Sequence, residues 1–437
     1  STMFSAYFKI IGLAALAIQG SYGAYCNGAP DEGERTNDFP IFDTDMRFVR
    51  SVQNGILYEA GPANATFPVA HIYGNAYERG FAMGTLQKKD VIGFVTKTWT
   101  YLLDMIVEEL PEGTFPPFIL DLILTKGMDK ALDWCARTTA PFTPQAYFDE
   151  MRGLSDASGI DYDMIVRLNL FAEITKASCS LFGAWGTATA ATGHTYQLRA
   201  LDYDTVGPFK DFHQIIVYHP TEGGHAFAEV GWPGSIGALS GISAAGLALS
   251  EIGVTYPDDS FGQGTDNTPP EKVHGKPWMY VTRDMLQFDN SLTEAVANME
   301  EADRTCNLIL AVGDSKNSMV NAIEYSGYTL TAYSDQDLLP QNDTWHPVID
   351  DVVYNGMDWN CPNYDSVLAA QLQKYHGQID ENVGVKNILP TVQTGKDSII
   401  VKSVQITVVL LFIILYSFFI LFILISLQVI FTLLCMI

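Results

Sequence analysis

Ser178-Cys179-Ser180-Leu181-Phe182-Gly183-Ala184-Trp185-Gly186, followed by Gln197-Leu198-Arg199-Ala200-Leu201-Asp202-Tyr203-Asp204, is the stretch on which the reading of this chain turns. It reads as two strands of a hairpin, with a cysteine opening the first and Arg199 and Asp202 on the second. Three polar side chains are thereby expected at one end of the hairpin. Arg199 and Asp202 lie three positions apart, so a regular strand would send them to opposite faces, and a bulge or strand end near Ala200 is expected to turn one toward Cys179. Cutting the bond between Ser178 and Cys179 would leave the cysteine with both a thiol and a free α-amine. Their ordinary pKa values, about 8.5 and about 7.7–8.0, are close enough for proton exchange within one residue. Arg199 would favour the thiolate and hold a substrate carbonyl or carboxylate, and Asp202 would accept a hydrogen bond from the ammonium. No histidine base is needed. Taken alone, Cys, Arg and Asp at this spacing occur by chance, and a buried half-cystine or core thiol is the competing reading of Cys179.

Upstream of the hairpin the apolar spacing is helical. Phe81, Met83, Leu86, Val91, Phe94 and Val95 predict a helix from Tyr77 to about Val107. Pro111 to Pro117 breaks it, Phe118 to Ala136 resumes it, and Pro144 to Ala157 predicts another helix with Thr143 as its N-cap. Downstream, short β-type runs follow: Ser180 to Ala188, Thr195 to Leu201, Gln214 to His219, Ala226 to Val230, Ile236 to Ile242 and Leu247 to Ile252. Helices near Met279 to Met285 and Leu292 to Met299 precede strands at Leu308 to Gly313 and Met319 to Tyr325. Strands, then helices, then strands imply an α+β fold, sheets covered by helices rather than alternating βαβ units. A four-layer αββα sandwich with a helical N-terminal part satisfies this pattern, as do other α+β arrangements.

The 437 residues carry 25 basic against 50 acidic side chains, a formal charge of −25. That balance repels phosphate backbones, so nucleic acid is excluded as a partner. It suits an acidic lumen. Lys9, the apolar run Ile10 to Ile18 and the small residues Gly20, Ser21, Gly23 and Ala24 read as a signal peptide over residues 1–24. Sequons at Asn64 and Asn342 agree with a secretory route to a lysosomal or vacuolar lumen or to the exterior. At the other end, Ile406 to Leu427 within residues 403–437 reads either as a membrane anchor or as a tail outside the mature protein. Cys26, Cys135, Cys306 and Cys361 allow two bridges in three connectivities. The eight histidines show no ligand spacing, so neither metal nor cofactor is expected. Gly231-Trp232-Pro233-Gly234-Ser235 reads as a β-turn rather than a nucleotide loop.

The cysteine hairpin resembles the nucleophile region of the N-terminal-nucleophile cysteine amidases, the clan of acid ceramidase, the N-acylethanolamine amidases, the choloylglycine (bile-salt) hydrolases and the isopenicillin-N acyltransferases. In these families an Arg-x-x-Asp-aromatic element follows the catalytic cysteine, and Arg199-Ala200-Leu201-Asp202-Tyr203 is similar to it. The resemblance extends to Ile72-Tyr73-Gly74-Asn75-Ala76-Tyr77-Glu78-Arg79-Gly80, to Glu150-Met151-Arg152-Gly153-Leu154-Ser155-Asp156, and to Gly237-Ala238-Leu239-Ser240-Gly241 with Ala245-Gly246-Leu247-Ala248-Leu249-Ser250-Glu251. It covers roughly residues 67 to 375. Asn355-Gly356-Met357-Asp358-Trp359 resembles the element whose Asn polarises the carbonyl in the ceramidase group. That resemblance implies Asn355 as oxyanion donor, with Asn307 as the second candidate. A second Asn carried by several relatives is here replaced by Ser250, which would contact substrate in its place. Trp232 and Trp185 would line an acyl pocket or pack in the core.

The resemblance implies a zymogen with an α part at 25–178 and a catalytic β part at 179–398, the two staying associated after cleavage. It implies hydrolysis of a small N-acyl amide through a Cys179 thioester. Transfer of the acyl group to an amine, and an inactive membrane-tethered binding protein, are the alternatives.

Overall fold

A computed structural model describes residues 46–392 apart from 62–65, 108–116, 176–177, 191–193, 203–206 and 255–271, together with residues 26, 30, 36 and 412–413. The predicted signal peptide, Asn64 and the C-terminal stretch apart from Phe412–Ile413 lie outside the described residues. Among the described residues no helix is long and apolar enough to cross a membrane.

The architecture follows from strands that bury both faces. β10 (Asn307–Asp314) is buried along its whole length and sends alternate residues into two different cores. Leu308, Leu310 and Val312 join a helix-side cluster, while Ile309 and Ala311 join a cluster between two sheets. β10 lies in a ten-stranded sheet ordered β1 (Arg47–Val52), β2 (Gly55–Ala60), β3 (Phe67–Gly74), β6 (Gln214–Pro220), β7 (Phe227–Gly231), β8 (Gly241–Ser243), β9 (Leu247–Gly253), β10, β11 (Met319–Ser326) and β12 (Leu330–Tyr333). The second sheet has four strands: β13 (Val352–Gly356), β4 (Ser178–Ala184), β5 (Tyr196–Asp202) and β14 (Phe412–Ile413).

One face of the large sheet is covered by α1 (Ala76–Leu86), α2 (Lys88–Val107), α3 (Pro117–Lys126), α4 (Met128–Thr139), α5 (Gln145–Ser158), α6 (Tyr162–Asn169), α7 (Trp278–Phe288) and α8 (Leu292–Glu301). The other face packs on the small sheet at Gly183, where an added Cβ would run into Val320. The outer face of the small sheet meets α9 (Pro362–Lys374) and the helical turns at 381–391, with Phe182 and Leu198 against Gly384. These are the four layers of an αββα sandwich. The α+β expectation holds.

Local chemistry explains several of these elements. α1 opens with a full capping box, Asn75 accepting from the Glu78 N–H while Glu78 reaches back to the Asn75 N–H. α1 and α5 approach so closely that an added Cβ at Gly80 or Gly153 would collide with the backbone of the other helix. Both glycines sit in the motifs that carry the resemblance, and here they are packing residues.

Four expectations need correction. First, the N-terminal part is not helical alone, since it supplies β1, β2 and β3. Its last strand pairs in parallel with β6, from Val69↔Ile215 to Gly74↔Pro220, so the large sheet is built across the Ser178–Cys179 boundary. Second, Ile236–Ile242 is not one strand. The Ile236 N–H donates to Asn169 Oδ1, and the Ala238 N–H donates to the Met279 carbonyl, so helix-side groups satisfy this backbone. Third, α5 has Pro144 at its N-cap with no side-chain cap; the Thr143 hydroxyl donates to the Thr139 carbonyl instead. Fourth, one disulfide is present among the four candidate cysteines, joining Cys26 to Cys361 with a Cα–Cα distance of 5.6 Å, while Cys135 and Cys306 are buried thiols. At the Asn342 sequon, the side-chain oxygen accepts from the Thr344 and Trp345 N–H groups in a tight turn.

Candidate active site

Cys179 is the second residue of β4, in the middle of the small sheet. β5 pairs with β4 in unbroken register from Ser178↔Asp202 through Cys179↔Leu201 to Ala184↔Tyr196. Of the two expected devices, no bulge interrupts Ala200, and the strand ends two residues on, at Asp202. The register sets Asp202 beside Ser178; its side chain lies outside the described residues. Arg199, opposite Leu181, shares the Cys179 face of the sheet, and its Nη2 donates to Cys179 Sγ at 3.0 Å. Cys179 is 0% exposed and Arg199 5%, so this contact is sealed from water.

The arginine is shared. Its Nη2 also reaches Glu251 Oε2 at 2.5 Å, its Nε donates to the Glu251 carbonyl at 2.5 Å, and its Nη1 donates to Ser240 Oγ at 3.2 Å. Glu251 is itself 3% exposed. A buried guanidinium with its carboxylate already in place is electrically balanced, so the sulfur faces a polarised donor rather than an isolated positive charge. Glu251 lies inside one of the motifs that carry the resemblance, where its sequence position points to no role. The signal was a lone charged residue near the end of the fully buried strand β9.

The third wall is β13, which pairs with the other edge of β4. Asn355 stands opposite Leu181, so Asn355 and Arg199 flank the same residue from two sides. Asn355 is 0% exposed, and neither its Oδ1 nor its Nδ2 has a hydrogen-bond partner among the described residues. Burying both ends of an amide unpaired costs roughly 1–3 kcal/mol per group, a cost that native structures seldom carry without use. Beyond it, the Met357 N–H donates to the Cys179 carbonyl at 2.7 Å, with Met357 held at φ +67°. A non-glycine residue in that left-handed region is strained. Asp365, on the first turn of α9, accepts the Gly356 N–H at 2.8 Å. Burial lifts the Asp365 carboxyl well above the ordinary carboxylate range, with backbone donors at Gly356 and Cys361 opposing and the Asp358 charge adding.

The remaining predicted residues scatter. Asn307 opens β10 on the large sheet and is buried, paired in register with Ser326. Ser250 accepts a hydrogen bond at 3.0 Å from Gln197 Nε2, which also donates to the Ala311 carbonyl, so this serine links the two sheets. Trp185 follows the far end of β4, six residues from Cys179 and hence about 20 Å away along the strand. Trp232 stacks on Phe94 and donates to the Phe209 carbonyl in a helix-side aromatic cluster. The structure thus joins Cys179, Arg199 and Asn355 on one small sheet and does not bring Trp185 to them. Among the described residues, no group of three or more His, Cys, Asp or Glu side chains could hold a metal ion.

Fold and site together define an α+β sandwich with a buried thiol opening a central strand of its small sheet. No family model matches the chain. It is 33% identical over 382 residues to protein dcd1A of Dictyostelium discoideum, covering 84% of this chain and 83% of that protein. It is also 33% identical over 365 residues to protein dcd1B of the same organism, covering 82% of this chain and 70% of that one. The chain belongs to the family of dcd1A and dcd1B. An uncharacterized protein of Archaeoglobus fulgidus is 24% identical over 272 residues, covering 56% of this chain and 41% of that protein. Similar solved structures include a Caenorhabditis elegans N-acylethanolamine-hydrolyzing acid amidase ortholog, 15% identical with a TM-score of 0.33, covering 47% of this chain and 83% of that one. A mutant conjugated bile acid hydrolase of Clostridium perfringens, 13% identical with a TM-score of 0.30, covers 48% of this chain and 84% of that one.

Proposed function

We propose that this protein is an autoprocessed amidase whose nucleophile is Cys179, acting on small linear N-acyl amides. The observation that carries the reading is the 3.0 Å contact from Arg199 Nη2 to Cys179 Sγ at the start of a central strand. In the maturation step the Cys179 sulfur adds to the Ser178 carbonyl carbon, and a C–S bond forms. The C–N bond between the two residues then breaks and its nitrogen takes the thiol proton. Water hydrolyses the resulting thioester, leaving a new carboxyl end at Ser178 and a free amine and thiol on Cys179. Turnover repeats this chemistry on an external amide, the α-amine acting as base and returning the proton to the leaving amine.

Asn355 suits the oxyanion role because its amide is buried beside this face with no competing partner among the described residues. Asp202 is assigned to orient the ammonium, and Asn307 is the alternative donor. Glu251 sharpens the substrate class. With Arg199 already balanced by a buried carboxylate, a neutral carbonyl is favoured over a substrate carboxylate.

The Cys26–Cys361 bridge supports a secretory or lumenal setting, and it ties residues on either side of the proposed cut. Intact-mass and N-terminal analysis of purified protein tests the reading. Two fragments are expected, the second beginning Cys179-Ser180-Leu181, joined under non-reducing conditions and separated by reductant. Cys179→Ala is expected to remain a single chain. An unbroken wild-type chain at both acidic and neutral pH, or normal cutting of Cys179→Ala, would overturn the proposal.

A further inference from the structure

The segment leading into Cys179 is held by a contact that turnover does not need. Residues 170–175 wind into a tight turn around the short 3-10 stretch Phe171–Glu173, with the Glu173 and Ile174 N–H groups donating to the Leu170 and Phe171 carbonyls. Glu173, five residues before Ser178, reaches out of this turn in two directions. Its Oε1 accepts the Trp278 N–H at 2.8 Å, and its Oε2 and carbonyl face Cys306 Sγ at 3.6 and 3.5 Å. Trp278 Nε1 adds a bond to the Ala172 carbonyl at 3.1 Å.

Both targets belong to the part of the chain after Cys179. Trp278 is the first residue of α7, whose N-cap is Pro277 and has no side-chain cap. The first N–H groups of a helix are orphaned and favour a negative charge, so Glu173 caps α7 from a distant segment. Cys306 sits at φ +61° immediately before Asn307 and the start of β10. One carboxylate therefore pins the upstream flank of the proposed scissile bond to a helix end and to a strand of the large sheet.

We propose that Glu173 is a positioning residue for self-cleavage: it holds the Ser178 carbonyl against Cys179 before the cut and has no part in later turnover. This rests on the autoprocessing reading. The carbonyl is already bonded to the Cys179 nitrogen, so attack depends on its orientation to the sulfur, which the backbone dihedrals around the bond set, and a misplacement of about 1 Å can cost on the order of 10²-fold in rate. After the cut the requirement reverses. Cys179 is completely buried in the intact chain, so its sulfur has to become exposed before any substrate reaches it.

The test follows conversion of freshly purified full-length chain to two fragments by mass, and then measures alkylation of Cys179 by iodoacetamide in the cut fraction. Glu173→Ala is expected to convert about ten- to a hundredfold more slowly than wild type, while its cut fraction alkylates at the wild-type rate. Glu173→Gln keeps an oxygen for the Trp278 N–H and is expected within about threefold of wild type. Trp278→Phe, losing only the bond to Ala172, is expected to slow conversion by about threefold. Should Glu173→Ala fail to fold, Glu173→Asp, which keeps the charge and loses the reach, is expected to show the same slow conversion. Wild-type conversion by Glu173→Ala or Glu173→Asp would overturn the positioning role and leave the nucleophile reading intact. An equal loss in conversion and alkylation would reduce Glu173 to a structural cap. A wild-type chain that never converts would remove the nucleophile reading and this proposal with it.

Discussion

Two carboxylates are buried against arginines in this molecule, and they differ in what is left over. On the helix-covered side, Glu150 of α5 accepts from Arg283 through both oxygens, at 3.2 and 2.8 Å, and from Arg79 at 3.2 Å. The arginines are engaged elsewhere too, Arg79 by the Gly74 carbonyl and Glu222, Arg283 by the Ile236 carbonyl. Arg283 also lies over the Tyr218 ring at 4.4 Å. At the small sheet, Glu251 and Arg199 form an equally buried pair, but Arg199 spends one donor on a thiol, and an unpaired amide, Asn355, stands across Leu181 from it. The first group joins residues from before and after Cys179 and holds no thiol or amide, although Arg79 Nε is buried without a partner among the described residues. The second leaves a thiol and an amide side by side in a dry site. On the proposed function, the same ion-pair chemistry serves structure in one place and reactivity in the other.

Apolar replacement should break this comparison most sharply. Glu150→Ala alone strands two buried guanidinium groups and is expected to cost about 3–5 kcal/mol of stability, read as a fall in the denaturation midpoint. Replacing the whole group (Arg79→Met, Glu150→Leu, Arg283→Met) is expected to recover most of that stability and leave conversion at Cys179 intact. The matching pair Arg199→Met with Glu251→Leu is expected to fold and yet show neither conversion nor amidase activity. Activity in the second replacement, or its loss in the first, would reverse the assignment.

Asn355→Ala probes the same contrast at smaller scale. Among the described residues its amide makes no hydrogen bond to lose, so folding should be little changed. If it serves the oxyanion, turnover should fall by about 10²–10³. A tenfold or smaller effect measured on a chromogenic N-acyl amide would move that role to Asn307.

Sequence distance decided how much of this could be read in advance. The Cys179–Arg199 contact spans 20 residues and one hairpin, a local pattern that chance also produces and that the family resemblance singles out. Arg199–Glu251 spans 52 residues, and Cys26–Cys361 spans 335; neither has a local signal. β10 was legible because it is an apolar run buried on both faces. β1 was missed because it is an edge strand exposed on nearly every residue, leaving no alternation to detect. The Ile236–Ile242 misreading has the opposite cause: its apolar residues are buried, but Arg283, Thr282 and Asn169 take its backbone groups in place of a neighbouring strand.

A third buried pair sharpens the comparison through pH. His71 Nδ1 and His219 Nε2 lie 3.0 Å apart on adjacent strands β3 and β6, with Tyr73 stacked on His219. Burial lowers both imidazoles from 6.5 to about 4, with the His219 charge adding to the effect on His71. Unlike the two arginine groups, this pair is neutral in the fold and charged in the unfolded chain below about 6.5. Its contribution is therefore present above pH 6.5 and lost as the pH falls toward 4. Asp289, raised by burial from 3.8 to about 6, acts in the other direction: its contribution is full below 3.8 and lost as pH rises through 6. Replacing the pair (His71→Phe with His219→Phe) should flatten the decline in Tm between pH 7 and pH 4.5, the smallest effect expected here. His346, also lowered to about 4 by burial, will leave part of the slope in place. A double variant whose Tm falls as steeply as wild type over that interval would mean that the acid sensitivity resides elsewhere.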